Sequence, residues 1–182
     1  MGQKEEIDYI KRILEGETTL FSYFLDRYSR PIYSLVLQII SCREDAEELT
    51  QDSFVKAYRK LDTYKGDCSF STWLYRIAYN TAISATRKQK KELSVIDEQI
   101  IDNISDDEAD EILCSSDNEE RIKKMEWALT QLNANERVLI TLFYNENKSV
   151  DELASIFRLT PTNIKVKLHR IRKKICALIN QV

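Results

Sequence analysis

The chain has 182 residues, 43% hydrophobic and 31% charged, with only three glycines and two prolines. So few turn formers exclude a sheet-rich fold and leave an all-helical protein, long enough for one large domain or two small ones. The formal charge of −3 does not exclude a polyanionic partner, because it is segregated: Glu92 to Glu120 holds twelve acidic residues and no basic one, leaving 27 basic against 18 acidic residues elsewhere, or +9.

From the N-terminus, Ile7, Ile10, Ile13 and Leu14 mark a short amphipathic helix. Met1-Gly2 invites a myristoylation reading, but Glu6 stands where that motif wants serine or threonine. No segment has a signal-peptide core or the ~20 apolar residues of a membrane span, which predicts a cytosolic chain without membrane insertion. Leu20, Phe21, Phe24, Leu25, Tyr28, Ile32, Leu35, Val36 and Ile39 predict a long second helix that Pro31 kinks or interrupts. A third runs from Asp45 to Leu61, with Ala46, Leu49, Phe54 and Tyr58 inward and Glu47, Glu48, Gln51 and Asp52 outward.

The loop Asp62 to Ser69 leads to a fourth helix, from Phe70 to about Lys88. Phe70, Leu74, Ile77, Ala78 and Ala82 can face a core, and Trp73, Tyr75 and Tyr79 add more aromatics than one stripe buries. From Cys68 to Lys91 there is no acid, and the helix runs into Arg87-Lys88-Gln89-Lys90-Lys91. Rings beside cations on an acid-free helix suit single-stranded nucleic acid, whose bases stack and whose backbone is anionic. The acidic stretch 92–120, with sparse apolar periodicity and runs of Ser, Asp and Asn, reads as a flexible linker.

The last third carries a helix-turn-helix pattern. Ser149-Val150-Asp151-Glu152 is a capping box, and Leu153, Ala154, Ile156, Phe157 and Leu159 supply an apolar face and a turn. Thr160-Pro161 starts the next helix, with threonine as N-cap and proline where a missing N–H costs nothing. Ile164, Leu168, Ile171 and Ile175 fall within about 60° of each other and form its buried stripe. The opposite face holds Thr162, Val166, His169 and Lys173, flanked by Asn163, Lys165 and Arg170. Asn163 and Lys165 can hydrogen-bond base edges, and exposed Val166 suits a thymine methyl. After Glu152 no acid follows. A cationic helix set on another helix is built for duplex DNA.

Cys42, Cys68, Cys114 and Cys176 are scattered, and His169 is the single histidine, with no carboxylate or nucleophile near it in sequence. That predicts free thiols, no metal site, no cofactor, no small-molecule substrate and no catalysis.

Three strings in order, Asp45 to Phe54 (DAEELTQDSF), Ala57-Tyr58, and Phe70 to Asn80 (FSTWLYRIAYN), resemble region 2 of a bacterial sigma factor. Asn133 to Ile175, ending LHRIRKKI, resembles region 4. With no domain between them but one linker, the chain resembles the extracytoplasmic-function (ECF) group of the sigma-70 superfamily. The resemblance implies an all-α protein of two small helical domains: 1–91 as region 2, 92–120 as linker, and 121–182 as region 4. It implies that Asp45, Glu47, Glu48, Gln51 and Asp52 bind core RNA polymerase.

By the same resemblance, Tyr64, Lys65, Ser69, Phe70 and Ser71, on the loop and the start of the helix after it, would take a flipped base of the −10 element. Trp73, Arg76, Tyr79, Asn80, Arg87 and Lys88 would hold its melted strand. At the −35 duplex, Thr162, Asn163, Lys165 and Val166 would face bases, with Lys167, His169, Arg170, Arg172 and Lys173 toward the backbone. Where region 4 usually carries a Gly-Ile turn, Arg158-Leu159 stand, so its −35 sequence cannot be copied from relatives. An anti-sigma factor is the regulatory partner the group implies. The competing reading is a helix-turn-helix regulator that acts without polymerase; it leaves the aromatic helix and the Glu48–Asp52 face unexplained.

Overall fold

A computed structural model describes residues 3–90 and 119–180. Every regular element among these residues is helical, as the composition requires. The elements are α1 (Gln3–Leu14), a 3₁₀ turn (Thr18–Phe21), α2 (Ser22–Ile39), α3 (Arg43–Arg59), a second 3₁₀ turn (Leu61–Thr63), α4 (Phe70–Lys90), α5 (Glu119–Thr130), α6 (Ala134–Tyr144), α7 (Val150–Phe157) and α8 (Pro161–Asn180). By contact they form two compact units: the N-terminal helices together with Asp151–Arg158, and the remaining C-terminal helices. Apart from its last two residues, which open α5, the predicted linker lies outside the described residues.

In the first unit α2, α3 and α4 pack on one another. Phe24, Ile32, Val36, Leu61, Phe70 and Leu74 are among its fully buried side chains. The helix α2 runs continuously through Pro31. Small residues let α3 approach its neighbours: Ala46, Thr50, Ser53 and Ala57 form the buried stripe. The two hydroxyls cost little there, because Thr50 Oγ1 donates to the Ala46 carbonyl (2.7 Å) and Ser53 Oγ to that of Leu49 (2.6 Å). Tyr58, predicted inward, is instead 40% exposed, its ring edge-on to Phe21.

The first helix is held by a polar clip. Glu6 is only 7% exposed; it accepts from the Tyr28 hydroxyl (2.5 Å) and lies 3.6 Å from Arg27 Nε. A buried carboxylate is tolerated when charge and hydrogen bonds compensate it.

In the second unit α5 and α6 pack against α8, through Leu132, Val138 and Leu142 on one side and Ile164, Leu168, Ile171 and Ile175 on the other, all buried. A capping box absent from the sequence reading starts α6: Asn133 Oδ1 accepts from the Glu136 amide, and the Glu136 carboxylate accepts from that of Asn133, both at 2.9 Å. The same carboxylate pairs with Lys174 Nζ at 2.8 Å, tying the start of α6 to α8.

Candidate nucleic-acid interface

The loop between α3 and α4 is built before any ligand arrives. Gly66 takes φ +80°, which a side chain would resist. Ser69 Oγ accepts from the Thr72 amide (3.2 Å) and so caps α4. Tyr64 spans the loop: its hydroxyl donates to the Cys68 carbonyl at 2.7 Å, and its ring lies 5.7 Å from Phe70 and 5.5 Å from Trp73. Lys65 is exposed, and Ser69 and Ser71 are half-buried.

Two predicted strand contacts are almost wholly buried. Phe70 is 0% exposed and Trp73 5%; Phe70 packs among Phe24, Tyr28, Tyr64 and Trp73. Tyr75 is buried too, at 2%. Since α4 packs on both α2 and α3, it buries more than one stripe, and Trp73 and Tyr75 are core. Phe70 and Trp73 pack against Tyr64 of the loop.

Further along α4, Arg76, Tyr79 and Asn80 are half-buried and Arg87 is exposed. The Lys88 side chain lies outside those described. The Asn80 amide donates to the Arg76 carbonyl (2.6 Å), Arg76 Nη1 reaches Ser155 Oγ (3.5 Å), and the Tyr79 ring lies 4.7 Å from that of Phe157, all inside the first unit. Burial raises the Tyr79 phenol above its ordinary range, with Arg87 opposing.

A groove of about 490 Å³ runs beside these residues, lined by Lys56, Lys60 and Thr63 from α3 and its end, by Trp73, Arg76, Ile77, Asn80, Thr81 and Ser84 from α4, and by Arg158. It has four cationic side chains and no carboxylate. Lys56 Nζ sits 3.4 Å from Thr81 Oγ1. The sequence reading missed Lys56 and Lys60, which look like ordinary solvated charges near a helix C-terminus. The available signal was their spacing of four, to one side of the acidic face. On that face, Glu47, Glu48, Gln51 and Asp52 are exposed and Asp45 is half-exposed.

On α8, Thr160 Oγ1 accepts from the Asn163 amide (3.2 Å), so the helix begins at Pro161 as its cap dictates. Thr162, Asn163, Lys165, Lys167 and Arg170 are exposed, and Val166 is 42% exposed. His169 and Lys173 are half-buried. Arg172 is engaged with α6: Nε donates to the exposed Tyr144 hydroxyl (2.8 Å), and the guanidinium lies over the Phe143 and Tyr144 rings at 6.0 and 5.8 Å. It positions α8 on α6.

Residues 24–92 match Sigma-70 region 2, and residues 123–175 match Sigma-70, region 4. The RNA polymerase sigma-H factor of Pseudomonas aeruginosa is 25% identical over 183 residues, covering 96% of this chain and 94% of the relative. The ECF RNA polymerase sigma factor SigW of Bacillus subtilis is 26% identical over 178 residues, covering 91% and 92%. Among solved structures, the sigma factor RpoE of Bartonella quintana, crystallised with the anti-sigma factor NepR, shares the fold with a TM-score of 0.64 and 22% identity, covering 88% of this chain and 96% of that one. With matches that begin in α2 and end in α8, the chain belongs to the sigma-70 family, in its extracytoplasmic-function group.

Proposed function

We propose that this chain is the promoter-recognition subunit that core RNA polymerase recruits for initiation at a particular set of promoters. One observation carries the assignment of surfaces: α3 presents an acidic, amide-bearing face (Glu47, Glu48, Gln51, Asp52) to solvent, while its Lys56 and Lys60 share an acid-free groove with Arg76 and Asn80. A protein that bound only DNA would have no use for the acidic face. A basic surface of polymerase meets it, and the electrostatic match favours that partner and register. The groove takes the phosphates of a melted −10 strand, and the 64–71 loop takes an extruded base.

The exposed Thr162, Asn163, Lys165 and Val166 of α8 read the −35 duplex, with Lys167, Arg170 and Lys173 on phosphates. The proposed domains are 1–91 and 121–182, joined by 92–120; the region matches at 24–92 and 123–175 support this division. The chain works where polymerase does, in the cytoplasm, and the bond-forming chemistry is the polymerase's. No described helix is long and apolar enough to cross a membrane. The relative crystallised with an anti-sigma factor makes such an inhibitor the regulatory partner proposed here. A helix-turn-helix regulator independent of polymerase is the weaker reading, since it leaves the α3 face idle.

Run-off transcription with core enzyme, the purified chain and fragmented genomic template tests the proposal. New transcript starts that share upstream hexamers are expected. Transcripts identical to those of core alone would reject it.

A further inference from the structure

Tyr64, assigned to the strand, has both its ring and its hydroxyl engaged within the protein. Its ring is turned to Phe70 and Trp73, and its hydroxyl donates to the Cys68 carbonyl four residues on. We infer that Tyr64 is a positioning residue, a latch whose phenol holds the 65–69 loop in its base-accepting shape without touching the base. This rests on the reading of that loop as the base-capture element of the proposed function.

The argument is one of prepaid entropy. Fixing a residue's backbone costs conformational entropy, and a loop that must be ordered at the moment of capture subtracts that cost from affinity. Three independent devices order this loop in the free protein: the left-handed Gly66, the Ser69 cap on α4, and the Tyr64 bridge from the loop's first residue to Cys68. The first two act on single positions. The bridge joins the two ends, and its donor is anchored because the ring packs on Phe70 and Trp73. When only a fraction of molecules holds the competent shape, apparent affinity falls by that fraction. A lost side-chain to backbone hydrogen bond corresponds to a shift of about five-fold.

The test is Tyr64→Phe, which keeps the ring and removes the bridge. Its holoenzyme is assayed on a promoter fragment from which the wild-type holoenzyme initiates, and on the single-stranded non-template oligonucleotide of that promoter's −10 segment. Oligonucleotide affinity and the rate of strand opening should each fall about five-fold, while the holoenzyme concentration giving half-maximal occupancy of the closed duplex, and the affinity for core, stay unchanged. Cys68, half-buried in the loop, reports the loop directly: in full-length chains carrying Cys42→Ser and Cys114→Ser, iodoacetamide should alkylate it faster in the Tyr64→Phe background. Unchanged alkylation would mean that the phenol does not hold the loop. Faster alkylation with unchanged opening would mean that the strand does not need it. Either result overturns the latch. Failure of the wild-type holoenzyme to open any promoter overturns the functional reading and the latch together.

Discussion

Lys56 and Lys60 decide whether the groove beside α4 is a strand path or a solvated crevice. Lysines that neutralise phosphates release counterions, so each should contribute ~0.7 to the slope of log affinity against log salt for single-stranded DNA. Lys56→Ala and Lys60→Ala should each lower the holoenzyme's affinity for a −10 oligonucleotide and flatten that slope by about 0.7, leaving binding to core unaltered. Fluorescence anisotropy across a salt series reads both quantities, and parallel slopes for wild type and variants would remove the lysines from the path. At Arg158 a different question arises, since it adopts φ +56° at the turn after α7. A side chain in that region costs ~1–2 kcal/mol, of which glycine's greater unfolded freedom returns ~0.5–1. Arg158→Gly should therefore raise stability by roughly 0.5–1 kcal/mol, seen as a higher urea midpoint, at the loss of one groove cation.

Among the elements, what could be read in advance followed from how many sides each helix buries. The stripe Ile164, Leu168, Ile171 and Ile175 is a one-sided pattern, and the structure buries those four. The start of α8 was equally legible because Thr160 and Pro161 act locally. In contrast, α4 is buried against two partners, and no single periodicity announces that Trp73 and Tyr75 turn inward while Tyr79 stays half-exposed. The groove escaped notice for a related reason: it needs Lys56 of α3 beside Thr81 of α4, residues 25 apart in sequence.

Nor did the sequence announce the clip on α1, where a glutamate on a short amphipathic helix reads as solvated until Tyr28 and Arg27 are placed beside it. That clip has a pH signature. Burial, reinforced by the bond to Glu6, pushes the Tyr28 phenol well above its ordinary value of 10.0. Burial also raises Tyr79. A raised folded-state value means that the stabilisation is complete below about pH 10 and is lost as pH climbs from there toward the folded value. In a spectrophotometric titration Tyr28 and Tyr79 should ionise above the ordinary phenol range. The fall in unfolding midpoint above pH 10 should be shallower in Tyr28→Phe. An equally steep fall in that variant would detach alkaline sensitivity from the clip.

For the whole molecule, the arrangement of charge sets when DNA is engaged. The chain as a whole is acidic at −3, yet it reaches +9 once residues 92–120 are set aside. Non-specific affinity for duplex follows the local excess of cations and the counterions they displace. If residues 92–120 act as the proposed acidic linker, they would compete with DNA for those cations at a high effective concentration. On the proposed function, polymerase adds a contact that this competition would not touch, because it would meet the acidic face of α3. The free chain should then bind duplex weakly, and converting the acids between Glu92 and Asp117 to their amides should strengthen its binding to random-sequence duplex and steepen the salt dependence. Holoenzyme binding to a cognate promoter should change far less, since its energy comes from placed contacts and from avidity across both elements. Electrophoretic mobility shifts of the free chain and of holoenzyme, with both sequences across a salt series, separate these outcomes. Equal gains on random and promoter DNA would show that the segment acts as general electrostatic background; no gain for the free chain would show that its cations are not contested by the tether.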